Sequence, residues 1–311
     1  MCLEFMSILI SDKLKEEAID ILQNNGFNVV KKYSITHEEL KHEIKNYEAI
    51  IIRSRTKLTA EILENANNLK VIGRAGVGLD NIDLKKAEEL NIKVLNTPEA
   101  PSISVAELTI GLLLSLVRHI SKADQTMHCG EWCKSDYMGY ILKGKKIGLI
   151  GFGNIGQAVA KVCEAMSMDI GIYDVDENVK AKAKKLGYRV HSSVDELITN
   201  SQIISLHIPS TVHTENTMDE RRIGLMSEKA ILINTARGNL VDESALIKAL
   251  KNQKIGGAAL DVYREEPLKD MDLCNCEENL VLTPHIGSQT EETQTQASVM
   301  IAEKISEYLK K

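Results

Sequence analysis

The chain has 311 residues, 43% hydrophobic and 26% charged, with a formal net charge of −6, a size and balance that suit two folded domains. The charges are interspersed and only 4% of residues are aromatic, which argues against a basic nucleic-acid face and against a base-stacking platform. The longest apolar run, Leu108–Val117, is too short to span a bilayer, and the N-terminus carries Glu4 and no basic segment, so a cytoplasmic protein with no membrane partner is expected.

Strand and helix alternate from the start. Ser7–Ile10 reads as a strand and Lys13–Asn24 as a helix stopped by Gly26. Asn28–Lys31 is a short strand, Glu38–Lys45 helical, and Ala49–Ile52 a continuous apolar run that reads as a buried strand. Thr59–Asn65 is helical, Val71–Gly73 a strand, Leu84–Leu90 a helix and Lys93–Leu95 a strand, before Asn96-Thr97-Pro98 breaks the pattern. Ser104-Val105-Ala106-Glu107 has capping-box spacing and is expected to open a helix reaching about His119. That helix is apolar on most sides, which predicts burial between domains or subunits. A second strand series follows: Lys146–Ile150, Asp169–Tyr173, Tyr188–Val190, Ile203–His207, Ala230–Asn234, Gly257–Asp261 and Leu280–Thr283, then a last helix over Thr290–Lys310. The expected fold is α/β, with two Rossmann-like domains built on doubly wound parallel sheets. A cofactor domain, 99–286, is inserted into a substrate domain made of 1–98 and 287–311, with the ligand crevice between them. Six cysteines, Cys2, Cys129, Cys133, Cys163, Cys274 and Cys276, lack the paired C-x-x-C spacing of zinc sites, so free thiols and no metal are expected.

The most informative segment is Ile147–Gly156. An apolar strand runs into Gly151, Gly153 and Gly156 with G-x-G-x-x-G spacing; a helical pattern, Gln157–Ser167, follows, then a strand ending at Asp174. Gly151 permits the tight turn, Gly153 lets backbone approach a pyrophosphate, and Gly156 lets helix and strand pack closely. The helix N-terminus offers N–H groups to phosphate, and Asp174 suits the ribose diol of NAD while repelling the 2′-phosphate of NADP.

Downstream, Arg237-Gly238, Asp261 to Pro267 and Pro284-His285-Ile286-Gly287 lie just past strands, where doubly wound sheets place their ligand crevice. An Arg, an acid and a His converging there are the types that hydride transfer on hydroxy or keto acids needs. Arg237 supplies a bidentate partner for a carboxylate, His285 exchanges the proton on the substrate oxygen, and Glu266 orients the imidazole and favours its protonated form. Taken singly, each has a bland alternative: an Arg at a surface turn, a solvated acidic loop, a His bonded to a loop carbonyl. In the N-terminal domain, Arg53-Ser54-Arg55 ends one strand with two cations, and Arg74 with Gly76-Val77-Gly78 ends the next. These are either surface charges and a plain turn, or cations beside a backbone nest suited to a substrate with carboxylate and phosphate.

Arg237-Gly238, Asp261-Val262-Tyr263-x-x-Glu266-Pro267 and Pro284-His285-Ile286-Gly287, all downstream of the centrally placed glycine motif Gly151 to Gly156, closely resemble the D-isomer-specific 2-hydroxyacid dehydrogenases over nearly the whole sequence. The resemblance implies that Arg237, Glu266 and His285 are catalytic, with His285 and Glu266 the acid–base pair. It implies a cofactor set of Gly151, Gly153, Asn154, Ile155, Gly156, Asp174 and Gly287, with Asp261 at the nicotinamide end. His207-Ile208-Pro209 and Thr235-Ala236 would line the adenosine and nicotinamide ribose sides. Within the family, Arg53-Ser54-Arg55-Thr56 and Gly73-Arg74-Ala75-Gly76-Val77-Gly78-Leu79-Asp80-Asn81-Ile82-Asp83, with Trp132 and Tyr137-Met138-Gly139, look like the D-3-phosphoglycerate dehydrogenases. That likeness implies a substrate set of Arg53, Ser54, Arg74, Gly76, Val77 and Lys134, with Arg53 and Arg74 on phosphate. It implies NAD-dependent oxidation of D-3-phosphoglycerate to 3-phosphohydroxypyruvate, at the entry to serine biosynthesis. The alternatives are a hydroxypyruvate or glyoxylate reductase, another D-2-hydroxyacid dehydrogenase, or a non-catalytic NAD-sensing partner, against which the intact trio speaks. Lys134 stands where Arg is usual and cannot form a bidentate fork; Asn239 stands where a second Gly is common, and the loop His213–Arg222 is unusually charged. The sequence stops at Lys311, as expected of a short form without a serine-sensing regulatory domain. A homodimer or dimer of dimers is expected, with Ser104–His119 and Trp132 packing across a two-fold.

Overall fold

Two parallel sheets, of five and seven strands, organise the protein. The computed structural model describes residues 6–276 and 278–311; Cys2 and the rest of the N-terminal five lie outside the described residues. The protein divides into two compact units: one runs to Pro101 and resumes over Ser288–Lys311, and the other is Ser102–Gly287.

The first unit begins β1 (Ser7–Ile10), α1 (Glu16–Asn24), β2 (Asn28–Lys31), α2 (His37–Glu43), β3 (Ala49–Ile52), α3 (Ala60–Leu63), β4 (Val71–Arg74), α4 (Leu84–Glu89) and β5 (Lys93–Asn96). Its sheet order is β2-β1-β3-β4-β5, so the order reverses between β1 and β3. Helix α1 starts at Glu16 rather than at Lys13. The reason is tertiary: Leu14 is pulled into the core, and the buried Asp12 is held by the turn after β3. A capping box does form in this unit, on α2, where Thr36 and Glu39 satisfy each other's backbone N–H groups.

The second unit holds α5 (Ser102–Val117), α6 (Ile120–His128), β6 (Lys146–Ile150), α7 (Asn154–Ala165), β7 (Asp169–Tyr173), α8 (Glu177–Lys185), β8 (Arg189–Val190), α9 (Val194–Thr199), β9 (Ile203–Leu206), α10 (Glu220–Leu225), β10 (Ile231–Asn234), α11 (Glu243–Lys251), β11 (Gly257–Leu260), α12 (Met271–Cys274) and β12 (Leu280–Leu282). The sheet order is β12-β11-β10-β9-β6-β7-β8. Helix α13 (Glu291–Leu309), N-capped by Thr290, belongs to the first unit. There Ile301 and Ile305 lie so close over Gly73 that any Cβ would overlap them, which is why β4 carries a glycine under this helix.

Helix α5 corrects one expectation. Ser104 lies inside the helix, which starts at Ser102, so no capping box opens it at Ser104. Its apolarity is accounted for within its own unit. Ala106, Ile110, Leu112, Leu113, Leu116 and Val117 join the core with residues of β6, α7 and β10, leaving an exposed line at Ile103, Glu107, Gly111 and Arg118. Further large apolar side chains are exposed in the stretch that follows: Ile120 and Met127 on α6, then Trp132 (79% exposed), Met138 and Ile141. No single helix among the described residues is long and apolar enough to cross a membrane.

Candidate active site

The order of the second sheet reverses at β6, which lies between β9 and β7, and the glycine turn follows β6 directly. Gly151 has φ +97°, a left-handed conformation that favours glycine. A Cβ on Gly151 would also overlap the His207 carbonyl, and a Cβ on Gly156 would overlap the Gly151 carbonyl. These two glycines therefore bring the β9 end and the first turn of α7 against the loop. Around Gly153 no heavy atom lies within 4 Å of the Cβ position. Gly153 is the N-cap, so Asn154, Ile155 and Gly156 form the first turn of α7 and present its N–H groups to this open side. Asp174 is tied to the same loop: Phe152 N–H donates to Oδ2 at 2.8 Å and Asp176 N–H to Oδ1 at 3.0 Å. This arrangement fits a dinucleotide, with room over a helix N-terminus and an acid beyond the second strand.

His207 has left β9 and sits just past its end. Burial pushes its imidazole down to about 4, so it is neutral near pH 7. Nε2 lies 2.9 Å from Ser205 Oγ, while Nδ1 is enclosed with no hydrogen-bond partner among the described residues. Ile208 packs against the Cβ position of Gly151, and Pro209 follows on the exposed side. Thr235 is buried at the end of β10. The Thr109 hydroxyl donates to Val105 O, so the Thr235 hydroxyl donates to Thr109 Oγ1 across 3.0 Å. Asn234, which carried no functional signal in the sequence, shapes this turn by accepting from Ala236 N–H and donating to the Arg237 carbonyl.

The catalytic candidates come together by close approach of three loops. A Cβ on Gly238 would overlap the backbone of Tyr263, so glycine allows the Arg237 turn to lie against the loop that carries Glu266. The Tyr263 hydroxyl lies 2.8 Å from the Thr283 carbonyl and 3.2 Å from that of Leu260, tying this loop to the one that carries His285. Asp261, 1% exposed, accepts from Thr283 Oγ1 at 2.6 Å, Ile286 N–H at 2.8 Å and Gly287 N–H at 2.9 Å. Both its oxygens are thus occupied by the His285 loop. His285 itself has φ +54°, a conformation that costs about 1–3 kcal/mol outside glycine and persists where surroundings impose it.

His285 Nδ1 lies 2.7 Å from Glu266 Oε2, and Glu266 Oε1 accepts from Tyr263 N–H at 3.1 Å. Burial opposes ionisation of Glu266, but the His285 hydrogen bond, the Tyr263 N–H and the charge of Arg237 outweigh it. Together they hold the carboxyl below its ordinary range. An ionised carboxylate only accepts hydrogen bonds, so Nδ1 carries the proton and Nε2 is the reactive nitrogen. The imidazole is 45% exposed, which leaves Nε2 open to a ligand. Arg237 donates to the Ala236 carbonyl at 2.6 Å through Nη1.

In the first unit, β3 and β4 are paired neighbours, so Arg53-Ser54 and Arg74 to Val77 lie at adjacent strand ends. Gly76 has φ +140°, and a Cβ there would fall on the Arg74 guanidinium, so glycine lets Arg74 fold over the turn. Arg55 departs from the expected pair of cations at the end of β3. Its Nε donates to buried Asp12 at 2.9 Å and its Nη2 to the Ser11 carbonyl at 2.6 Å. Lys134 opens a single 3-10 turn, Lys134–Asp136, on the exposed segment after α6. Among the described residues no cluster of three or more His, Cys, Asp or Glu is arranged to hold a metal, and Cys129, Cys133, Cys163, Cys274 and Cys276 are free thiols.

Residues 110–287 match the profile of the D-isomer specific 2-hydroxyacid dehydrogenase NAD binding domain. The chain belongs to this family. It is 44% identical over 305 residues to a D-3-phosphoglycerate dehydrogenase of Methanocaldococcus jannaschii, covering 98% of this chain and 58% of that protein. It is 42% identical to a hydroxypyruvate reductase of Thermotoga maritima, covering 95% of this chain and 96% of that protein. Among solved structures, the TT0316 protein of Thermus thermophilus superposes with a TM-score of 0.89 at 33% identity, covering 98% and 97% of the two chains. The chain thus spans little more than half the length of the archaeal phosphoglycerate dehydrogenases it matches. Its second unit is the NAD-binding domain of the 2-hydroxyacid dehydrogenases. Cofactor choice is directly testable. With Asp174 beside the glycine turn, the protein is expected to use NAD in preference to NADP. Asp174→Ala is expected to narrow that preference in initial rates with each cofactor; equal use of both by the wild type would show that Asp174 does not select.

Proposed function

We propose that this chain is an NAD-dependent dehydrogenase that oxidises D-3-phosphoglycerate to 3-phosphohydroxypyruvate, the first step of serine biosynthesis. The observation that carries the reading is the dyad beside Arg237: His285 Nδ1 held 2.7 Å from an ionised Glu266, with Nε2 open. NAD, when bound, supplies the hydride acceptor. Gly151, Gly153, Asn154, Ile155, Gly156 and Asp174 are the residues that would hold it, with His207, Ile208, Pro209, Thr235, Ala236, Asp261 and Gly287 along the neighbouring strand ends. His285 Nε2 takes the proton of the substrate hydroxyl as the carbon beneath it loses hydride. Glu266 keeps the imidazole oriented and stabilises the charge it acquires, and Arg237 binds the substrate carboxylate and polarises the forming carbonyl. In the first unit, Arg53 and Arg74 are assigned to the phosphate, with Ser54, Gly76 and Val77 offering backbone N–H groups; Lys134, which belongs to the second unit, is assigned as a further substrate cation.

A second reading, reduction of hydroxypyruvate or glyoxylate by the same machinery, is favoured by the near full-length match to the Thermotoga reductase. Initial rates with NAD across 3-phosphoglycerate, glycerate, lactate and glycolate decide between them. The proposed function expects the highest kcat/KM with 3-phosphoglycerate, whereas preference for glycerate selects the second reading.

Self-association belongs to the same proposal. Ile120, Met127, Trp132, Met138 and Ile141 expose apolar side chains along one continuous stretch of sequence, and such surface marks an interaction site. A symmetric contact through it makes the protein at least a dimer. Sedimentation at micromolar concentration is expected to show that dimer, and Trp132→Ala to weaken it. A wild-type monomer would refute the assignment.

A further inference from the structure

We infer that Asp12 and Asn81 are positioning residues that clamp the turn Arg53–Thr56 as a preformed anion cradle, and that Arg55 is a strut of that turn rather than a ligand to substrate. The inference rests on the substrate reading above.

The turn follows β3 at the point where the strand order of the first sheet reverses, and Asp12 lies opposite, just past β1. Asp12 is 4% exposed. Its Oδ2 accepts from Arg53 N–H at 2.6 Å and Thr56 N–H at 3.1 Å. Its Oδ1 accepts from Arg55 Nε and from Thr56 Oγ1, both at 2.9 Å. Four donors on one buried carboxylate pin the two ends of the turn by their amides. The opposite polarity is fixed by Asn81, whose Nδ2 donates to the Arg53 carbonyl at 2.7 Å and the Thr56 carbonyl at 2.6 Å. Asn81 is itself anchored, since Leu58 N–H donates to its carbonyl at 2.8 Å and Asp83 N–H to that of Leu58 at 2.9 Å. Between the pinned ends, the N–H groups of Ser54 and Arg55 make no hydrogen bond within the described residues.

The two guanidinium groups divide the work. Arg55 is turned inward onto Asp12, the Ser11 carbonyl and, at 3.3 Å, the Ile35 carbonyl. Among the described residues the Arg53 guanidinium makes one long contact, 3.5 Å to the Lys13 carbonyl. Burial lowers the proton affinity of Arg53 and the nearby Asp12 charge partly restores it, so the turn carries a half-buried cation as well as two amides with no hydrogen bond among the described residues. Ordering such a turn in advance removes an entropic cost from binding without touching the chemical step. Loosening the clamp therefore raises KM and spares kcat.

The test compares Asn81→Asp, Asp12→Asn and Arg55→Ala in the whole 311-residue chain, with melting temperature as a check on folding. Asn81→Asp keeps the shape but replaces two donated hydrogen bonds by repulsion. It is expected to raise KM for 3-phosphoglycerate about 10-fold, the equivalent of one lost hydrogen bond, with kcat and the KM for NAD unchanged. Asp12→Asn is expected to act in the same direction. Adding Arg55→Ala to Asp12→Asn is expected to raise KM little further, because both remove one strut. A wild-type KM for Asn81→Asp, or a joint fall of kcat and NAD affinity in that variant, overturns the clamp. Multiplicative losses in the double variant overturn the strut and make Arg55 a ligand. Should wild type prefer an unphosphorylated hydroxy acid, the substrate reading fails on its own. The clamp is then read on the KM for that acid, where an unchanged value in Asn81→Asp overturns it.

Discussion

His285→Ala is expected to lose roughly 10²–10⁴-fold in kcat, the range that general acid–base catalysis supplies, while NAD binding survives because no residue of the glycine turn is altered. Cofactor titration by nicotinamide or tryptophan fluorescence separates the two effects. Glu266→Gln tests the partner. Glu266 is held below the ordinary carboxylate range by His285, Tyr263 and Arg237 against the opposing effect of burial. The sign is that of a depressed acid. What its charge contributes is present above the unfolded value and is lost only as pH falls through the lower folded value. Near neutrality Glu266 therefore stays ionised and accepts the Nδ1 proton of His285. With Gln in its place the imidazole loses that charged partner, and kcat is expected to fall in both directions while the KM for NAD is unchanged. A wild-type kcat in both directions would reduce Glu266 to a loop carboxylate and dissolve the dyad.

The second large effect concerns phosphate. Arg53→Ala and Arg74→Ala are each expected to raise KM for 3-phosphoglycerate by roughly 10- to 100-fold, the equivalent of about 1.5–3 kcal/mol for a charge-assisted hydrogen bond. The KM for unphosphorylated glycerate is expected to change far less. Gly76 supports the assignment of Arg74, since the guanidinium occupies the space where a side chain would stand. Steady-state kinetics on both substrates decides it: equal losses on the two would make these arginines structural. The contrast with Arg55 is informative, because Arg55 follows Arg53 by two positions and bears the same charge, yet its guanidinium is bonded to Asp12 and Ser11.

Much of the architecture was legible in the amino-acid order because its signals are local. Continuous apolar runs mark buried parallel strands, and Ala49–Ile52 and Ile231–Asn234 are buried throughout. The spacing of Gly151, Gly153 and Gly156 between a strand and a helix marked the glycine turn after β6, and family resemblance singled out Arg237, Glu266 and His285 as candidates. Boundaries were less legible. Apolar pattern carried three strands one residue too far, through His207, Asp261 and Thr283, each of which sits just past the end of its strand. Their backbone N–H groups still donate to Ile150, Asn234 and Leu260 of the neighbouring strands, while their side chains bond to Ser205, to the His285 loop and to Asp261. Capping-box spacing likewise misled at Ser104, where the helix had already begun, because spacing alone does not say which backbone groups are unpaired.

Residue order was therefore enough for the strands, the glycine turn, the residue types at the strand ends and the family. Each depends on neighbours within a few positions or on motif identity. How those side chains are used emerged from folding in three dimensions. Folding placed Glu266 on His285 and Asp261 under the His285 loop, and it turned Arg55 inward while leaving Arg53 with a single long contact among the described residues. It also drew Asp12 and Asn81 onto one turn, though Asp12 lies 41 to 44 positions from its partners and Asn81 lies 25 to 28 from its own. A buried polar group must find its partners wherever the packed protein brings them. Such pairings are set by sheet order and loop approach, which no local pattern of residues encodes.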